Sequence, residues 1–182
     1  VHRLETSGSG LQLIERFSTA VEDRIWAVCA EDRLAFIGTA ACKTPYPVSV
    51  IDIQTGQLIR QLYGSVRVGA GVLHMVYENG LSTLITGGYD TFVRMWDIRT
   101  CTKVMSWEEP YDNGIYSLAT DHCNSLLIGT SRFGLVWAAD KRKSSFVQHY
   151  YVGNKNTPVY SVDFTTRRLF VALDSEIEQL IF

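Results

Sequence analysis

A short apolar segment recurs four times along the chain at nearly constant spacing, and this constrains the fold more than any other feature. The copies are Ile25-Trp26-Ala27-Val28, Val72-Leu73-His74-Met75, Ile115-Tyr116-Ser117-Leu118 and Val159-Tyr160-Ser161-Val162, separated by 47, 43 and 44 residues. A second segment ending in small residues follows each one: Phe36-Ile37-Gly38-Thr39, Ile85-Thr86-Gly87-Gly88, Leu127-Ile128-Gly129-Thr130 and Phe170-Val171-Ala172-Leu173. A third segment closes on Asp52, Asp97 and Asp140, spaced by 45 and 43 residues, and the fourth unit lacks that aspartate. A period of roughly 40–45 residues built from short β-rich pieces predicts a four-stranded propeller blade. Helical-pair solenoids share such periods. These segments, however, are short, β-branched and aromatic, and no long helical period runs through them.

The second unit carries the most specific pattern. Residues 84–99 read Leu-Ile-Thr-Gly-Gly-Tyr-Asp-Thr-Phe-Val-Arg-Met-Trp-Asp-Ile-Arg, which resembles a WD40 repeat. The resemblance implies a partial WD40 β-propeller, all-β, with about four blades of a ring of seven. It also implies that Thr86, Asp90 and Trp96 join a histidine from the preceding loop in a hydrogen-bonded set, with Asp97 closing the motif. The chemistry behind that set is general, since a buried carboxylate and a buried indole N–H both need partners. The other units depart from it. Unit one has Ile51 in place of the tryptophan and a longer loop from Ala40 to Pro47. Unit three has Trp137 and Asp140 out of adjacent register, with Phe133 where the turn aspartate belongs, and no unit shows a Gly-His pair. Packing between blades is therefore expected to supply most of the stability.

The expected blades run over about 25–63, 72–107, 115–152 and 159–182, with 1–17 as the end of a preceding blade. Within that first stretch Val1 to Leu4 reads as a third strand and Leu11 to Phe17 as a fourth, joined by a turn at Ser7 to Gly10. Seven blades would need roughly 300 residues. At 182 residues the chain is expected to be an arc of a longer protein, and it opens on Val1 rather than Met.

Several other stretches resemble the C-terminal half of F-box/WD-repeat proteins: Glu22-Asp23-Arg24-Ile25-Trp26, Gly38-Thr39-Ala40-Ala41-Cys42, Gly69-Ala70-Gly71-Val72-Leu73, Gly88-Tyr89-Asp90-Thr91, Trp107-Glu108-Glu109-Pro110 and Ser161-Val162-Asp163-Phe164-Thr165-Thr166. The Trp-Glu-Glu-Pro and Gly-Ala-Gly-Val-Leu runs are not general WD40 features. This resemblance implies a substrate-recognition propeller of a Skp1–cullin–F-box ubiquitin ligase, with Skp1 and cullin engaged by an F-box outside this chain. The propeller itself would hold target proteins or peptides. A non-catalytic WD40 scaffold for another assembly is the alternative.

Charge fits a protein-binding role. With 17 basic and 19 acidic residues the net charge is −2, which argues against a dedicated nucleic-acid or membrane-surface partner. No apolar run approaches the roughly 20 residues of a bilayer span. Cys29, Cys42, Cys101 and Cys123 are dispersed, with no C-x-x-C pair, and read as reduced thiols of a cytoplasmic or nuclear protein rather than as a zinc site.

No catalytic residues, cofactor or metal are expected. His122, in Asp121-His122-Cys123-Asn124, falls in a turn where polar residues are usual, and His74 lies on a strand. Lys141-Arg142-Lys143 and Arg167-Arg168 read as solvated turns, and Gly87-Gly88 precedes neither a lysine nor a helix. The candidate partner-binding rim consists of Arg24, Tyr89 and Arg132, mapped by repeat position onto the loops of one face, with Trp26 and Tyr116 just below it.

Overall fold

In a computed structural model, the structure describes residues 2–7, 10–15, 18–64, 67–153 and 156–182, the first two stretches as backbone alone. Strands β1 (His2–Ser7) and β2 (Gly10–Glu15) form an antiparallel pair. The expected turn residues 8 and 9, the first residue and residues 16–17 lie outside the described set.

Three four-stranded antiparallel sheets follow, each a meander in chain order. The first holds β3 (Ile25–Glu31), β4 (Leu34–Thr39), β5 (Val48–Asp52) and β6 (Leu58–Leu62). The second holds β7 (Val72–Glu78), β8 (Thr83–Gly88), β9 (Phe92–Asp97) and β10 (Thr102–Glu108), with a single 3-10 turn at Asn79–Leu81. In the third are β11 (Ile115–Thr120), β12 (Ser125–Thr130), β13 (Leu135–Asp140) and β14 (Phe146–Tyr151). A fourth sheet contains β15 (Ser161–Phe164), β16 (Arg168–Ala172) and β17 (Ile177–Ile181). The first strands β3, β7, β11 and β15 lie side by side, which makes each sheet a blade of a propeller.

Burial follows position within the blade. In the first three blades the second and third strands are largely buried, so they read as apolar runs, whereas β6, β10 and β14 on the outside are mostly exposed. Each hydrophobic cluster straddles two blades. Phe36, Val48 and Leu62 of the first blade pack with Met75, Tyr77 and Trp96 of the second. Ile85, Val93 and Trp107 of the second pack with Ile115, Leu126 and Trp137 of the third, and Leu127 and Val136 pack with Val159 and Leu169.

Equivalent glycines set the spacing between blades. A Cβ on Gly38 would lie 3.0 Å from Val72, one on Gly87 2.4 Å from Ile115 Cγ2, and one on Gly129 2.5 Å from Val159 Cγ1. Val72 and Ile115 open the next blade's first strand, and Val159 lies two residues before β15. The small residues ending the second segment of each repeat are thus seats for the following blade.

The candidate partner-binding face

Because the strands alternate in direction, the loops before each first strand and those between second and third strands emerge on one face, called upper here. The first strand of each complete blade carries the same irregularity there. The register of β3 slips between Ile25 and Ala27, that of β7 between Val72 and His74, and that of β11 between Ile115 and Ser117. The extra residues are Trp26, Leu73 and Tyr116. A bulge leaves its extra residue out of the ladder and re-aims the side chain. Tyr160 holds the corresponding repeat position in the fourth blade, immediately before β15.

These positions build a row of aromatic rings. Trp26 meets Tyr89 edge-on at 5.7 Å, Tyr89 meets Tyr116 edge-on at 5.7 Å, and Tyr116 lies 6.1 Å from Tyr160. The Tyr89 and Tyr116 hydroxyls share a 3.2 Å hydrogen bond. That bond, and burial after it, push the Tyr116 phenol up to about 12, while the Arg132 charge acts the other way. The Tyr160 phenol is raised too, chiefly by its bond to the Asp174 carboxylate. Tyr89 and Tyr160 remain 44% and 53% exposed, so the row offers ring faces and edges to a partner.

Of the rim residues expected from sequence, Tyr89 and Arg132 converge on Tyr116. Arg24 is exposed two residues before Trp26, but no ring contact or ion pair of its guanidinium with the row is seen among the described residues. Phe133, next to Arg132, adds an exposed ring from a left-handed backbone conformation (φ 68°). Thr91 takes the same unfavourable conformation (φ 69°) in the corresponding turn of the second blade.

The WD residues lie beneath this face. Trp96, 1% exposed, donates its indole N–H to Thr86 Oγ1 at 3.0 Å. Asp90 does not join them through a histidine. Its Oδ2 accepts from Arg94 at 2.6 Å, the Arg94 guanidinium lies 5.0 Å over the Phe92 ring, and Asp90 Oδ1 is buried with no hydrogen-bond partner. Asp97 accepts from Arg99 N at 2.8 Å and Arg99 Nη2 at 2.9 Å, and Asp140 repeats the arrangement with Arg142. The side-chain bond from the arginine, followed by the backbone bond, holds both carboxyls below their ordinary range. These aspartates therefore staple the turn between third and fourth strands.

The third blade substitutes other groups for the WD set. Buried Glu109 accepts from Trp137 Nε1 at 3.0 Å through one oxygen and from the backbone N–H groups of Tyr111 and Asn113 at 2.9 and 2.7 Å through the other. Trp107 is buried against the same core and donates to the Lys143 carbonyl at 2.8 Å. The Trp-Glu-Glu-Pro run thus supplies the tie between blades two and three.

On the opposite face, one sequence reading is corrected. Lys141 is not a solvated turn residue. Only 6% exposed, it lies with its ammonium 2.5 Å from Glu78 Oε1 and 2.8 Å from Thr120 Oγ1. Arg142, its neighbour, is exposed as expected.

No family model matches the chain. Two curated relatives do. F-box/WD repeat-containing protein 4 of Mus musculus is 41% identical over 167 residues, and that of Homo sapiens 38% identical over the same length. Each alignment takes in 88% of this chain, which spans about two fifths (40%) of the relatives' own length. Among solved structures, the computationally designed Ika4 protein superposes with a TM-score of 0.72 at 18% identity, over 89% of this chain and 93% of that one. The RRP9 WD40 repeats superpose with a TM-score of 0.72 at 15% identity, over 90% of this chain and 52% of that one. The chain has the fold of a WD40-type β-propeller segment, and it is similar in sequence over most of its length to a part of F-box/WD repeat-containing protein 4.

Proposed function

We propose that this chain is the target-holding propeller of a Skp1–cullin–F-box ubiquitin ligase receptor, itself non-catalytic, acting in the cytosol or nucleus. The observation that carries the reading is the aromatic row Trp26–Tyr89–Tyr116–Tyr160. It is ordered by repeated bulges, flanked by Arg132 and Phe133, and set on a rigid scaffold. Tyrosine, tryptophan and arginine dominate binding hot spots because they bring large rigid contact area with a polar handle. The curated relatives named for an F-box support the ligase assignment.

The test is a pull-down with the full-length protein, a version lacking everything before Val1, and a full-length Tyr116→Ala variant. Full-length protein should retain Skp1 and cullin, the truncated version should lose both, and the variant should keep them while losing the target. Failure of full-length protein to retain Skp1 would replace the ligase reading with a WD40 scaffold in another assembly.

A further inference from the structure

We infer that a groove on the upper face, beside the aromatic row, is built to take the cationic side chain of a lysine or arginine in the bound partner. The inference rests on the reading that this face binds a partner, and it names the chemistry that would be recognised. The groove has a volume of about 320 Å³ and is lined by Arg67, Tyr89, Asp90, Thr91, Phe92, Arg94, Glu108 and Asp112. That size falls within the range of small-ligand sites, roughly 300–1,000 Å³. Tyr89 belongs to both the row and the groove, so a peptide lying along the row reaches the groove without a break.

The charges decide which guest fits. Three carboxylates line the groove: Glu108 and Asp112 are exposed, while the Asp90 side chain is 7% exposed. Asp90 has one oxygen engaged, with Arg94 at 2.6 Å, and its other oxygen has no hydrogen-bond partner. That second oxygen is shut off from solvent, so Asp90 acts on a guest through its charge, while the exposed Glu108 and Asp112 carboxylates offer oxygens within reach. Of the two arginines, Arg94 is already held between Asp90 and the Phe92 ring. Only Arg67 would face an anion, against the Glu108 and Asp112 carboxylates. A phosphate is therefore poorly served here, and an ammonium or guanidinium gains the carboxylates together with the aromatic face of Tyr89.

The test uses fluorescein-labelled Gly-Ala-Lys-Ala-Gly, its Nε-acetyl-lysine form and the matching phosphoserine peptide, titrated by fluorescence polarisation against the full-length protein. Lysine peptide should bind more tightly than the acetylated and phosphorylated forms and weaken as salt rises. The isosteric, surface-exposed substitutions Glu108→Gln and Asp112→Asn should each weaken it by about three- to tenfold. Equal binding of lysine and acetyl-lysine, or tighter binding of phosphoserine, overturns the inference. Target capture in the pull-down separates the two readings. If Tyr116→Ala abolishes capture while Glu108→Gln/Asp112→Asn leaves it intact, the face stands and the cation groove falls. If neither variant alters capture, the face itself is wrong.

Discussion

Replacing Lys141 by methionine removes a charge whose partner cannot follow it into water. Glu78 is 2% exposed, and one of its carboxylate oxygens receives the Lys141 ammonium at 2.5 Å and the Thr120 hydroxyl at 2.6 Å. The other oxygen is buried with no partner. The next basic side chain, the His122 ring, stands 4.0 Å away and is 65% exposed. Once Lys141 is gone, a buried carboxylate keeps a single hydroxyl, and breaking a buried pair this way costs about 3–5 kcal/mol. For a chain of this size that corresponds to a fall in Tm of roughly 6–20 °C. Urea unfolding followed by tryptophan fluorescence reads the loss directly. In the double variant Glu78→Leu/Lys141→Met both charges are absent and the cavity is filled with apolar atoms, so stability should return most of the way to that of the parent. A single-variant cost under about 1 kcal/mol, the value of a surface ion pair, or costs that simply add in the double variant, would refute the lock between blades two and three.

Gly87→Ala should destabilise by about 1–3 kcal/mol in the same assay, because the new Cβ meets Ile115 Cγ2 at 2.4 Å, while Gly80→Ala, with nothing within 4 Å, should be near neutral. Trp96→Ala should cost about 3–5 kcal/mol, and Thr86→Val, which removes the acceptor for the Trp96 indole and a 3.5 Å bond to the Arg94 carbonyl, about 1 kcal/mol. Asp97 and Asp140 have carboxyls depressed by Arg99 and Arg142, so the stability they add is complete above the ordinary carboxylate range and is lost as pH falls through their lower folded values. An acid titration of Tm should show that loss beginning near pH 4, and Arg142→Ala should reduce it. For Tyr116 the sign is opposite: a raised phenol favours the fold below its ordinary value near 10 and withdraws that support as pH climbs toward about 12. Tyr89→Phe should bring the last-ionising tyrosine down in an ultraviolet titration.

The blade pattern was readable because each blade meets the same local demands in the same order. Two apolar strands must be buried on both faces, and a glycine at 38, 87 or 129 must admit the next blade. Both requirements leave marks within a few residues of one another. Lys141 left none. Its burial is decided by Glu78, 63 residues earlier, and by a hydroxyl on another strand. Beside Arg142 and Lys143 it looked like the rest of a solvated basic turn. Asp90 reads as a motif residue, but its partner in the fold, Arg94, carries no mark in the sequence, where an arginine on a strand reads equally well as a solvated side chain. Trp137 is displaced in the fold as in the sequence: it pairs with Ile128 as Arg94 pairs with Thr86, Ala139 stands where Trp96 does, and Glu109 serves as its acceptor.

The partner-binding face shows why repeat position alone located some of its residues and not its organisation. Trp26 and Tyr116 sit among alternating strand residues, where parity would send their side chains into the blade or out of it. Only the slip in pairing with β4 and β12 turns them onto the upper face, and a bulge is visible once the partner strand's register is known. Tyr89 then bridges the two because it comes from a turn of the blade between them, and with Tyr160 four consecutive blades contribute to one row. Such a row depends on blade-to-blade spacing as much as on the rings themselves. The glycine seats that admit Val72 and Ile115 also set how far apart Trp26, Tyr89 and Tyr116 stand, and a substitution at Gly87 should disturb partner binding even though no atom of Gly87 lies on the face.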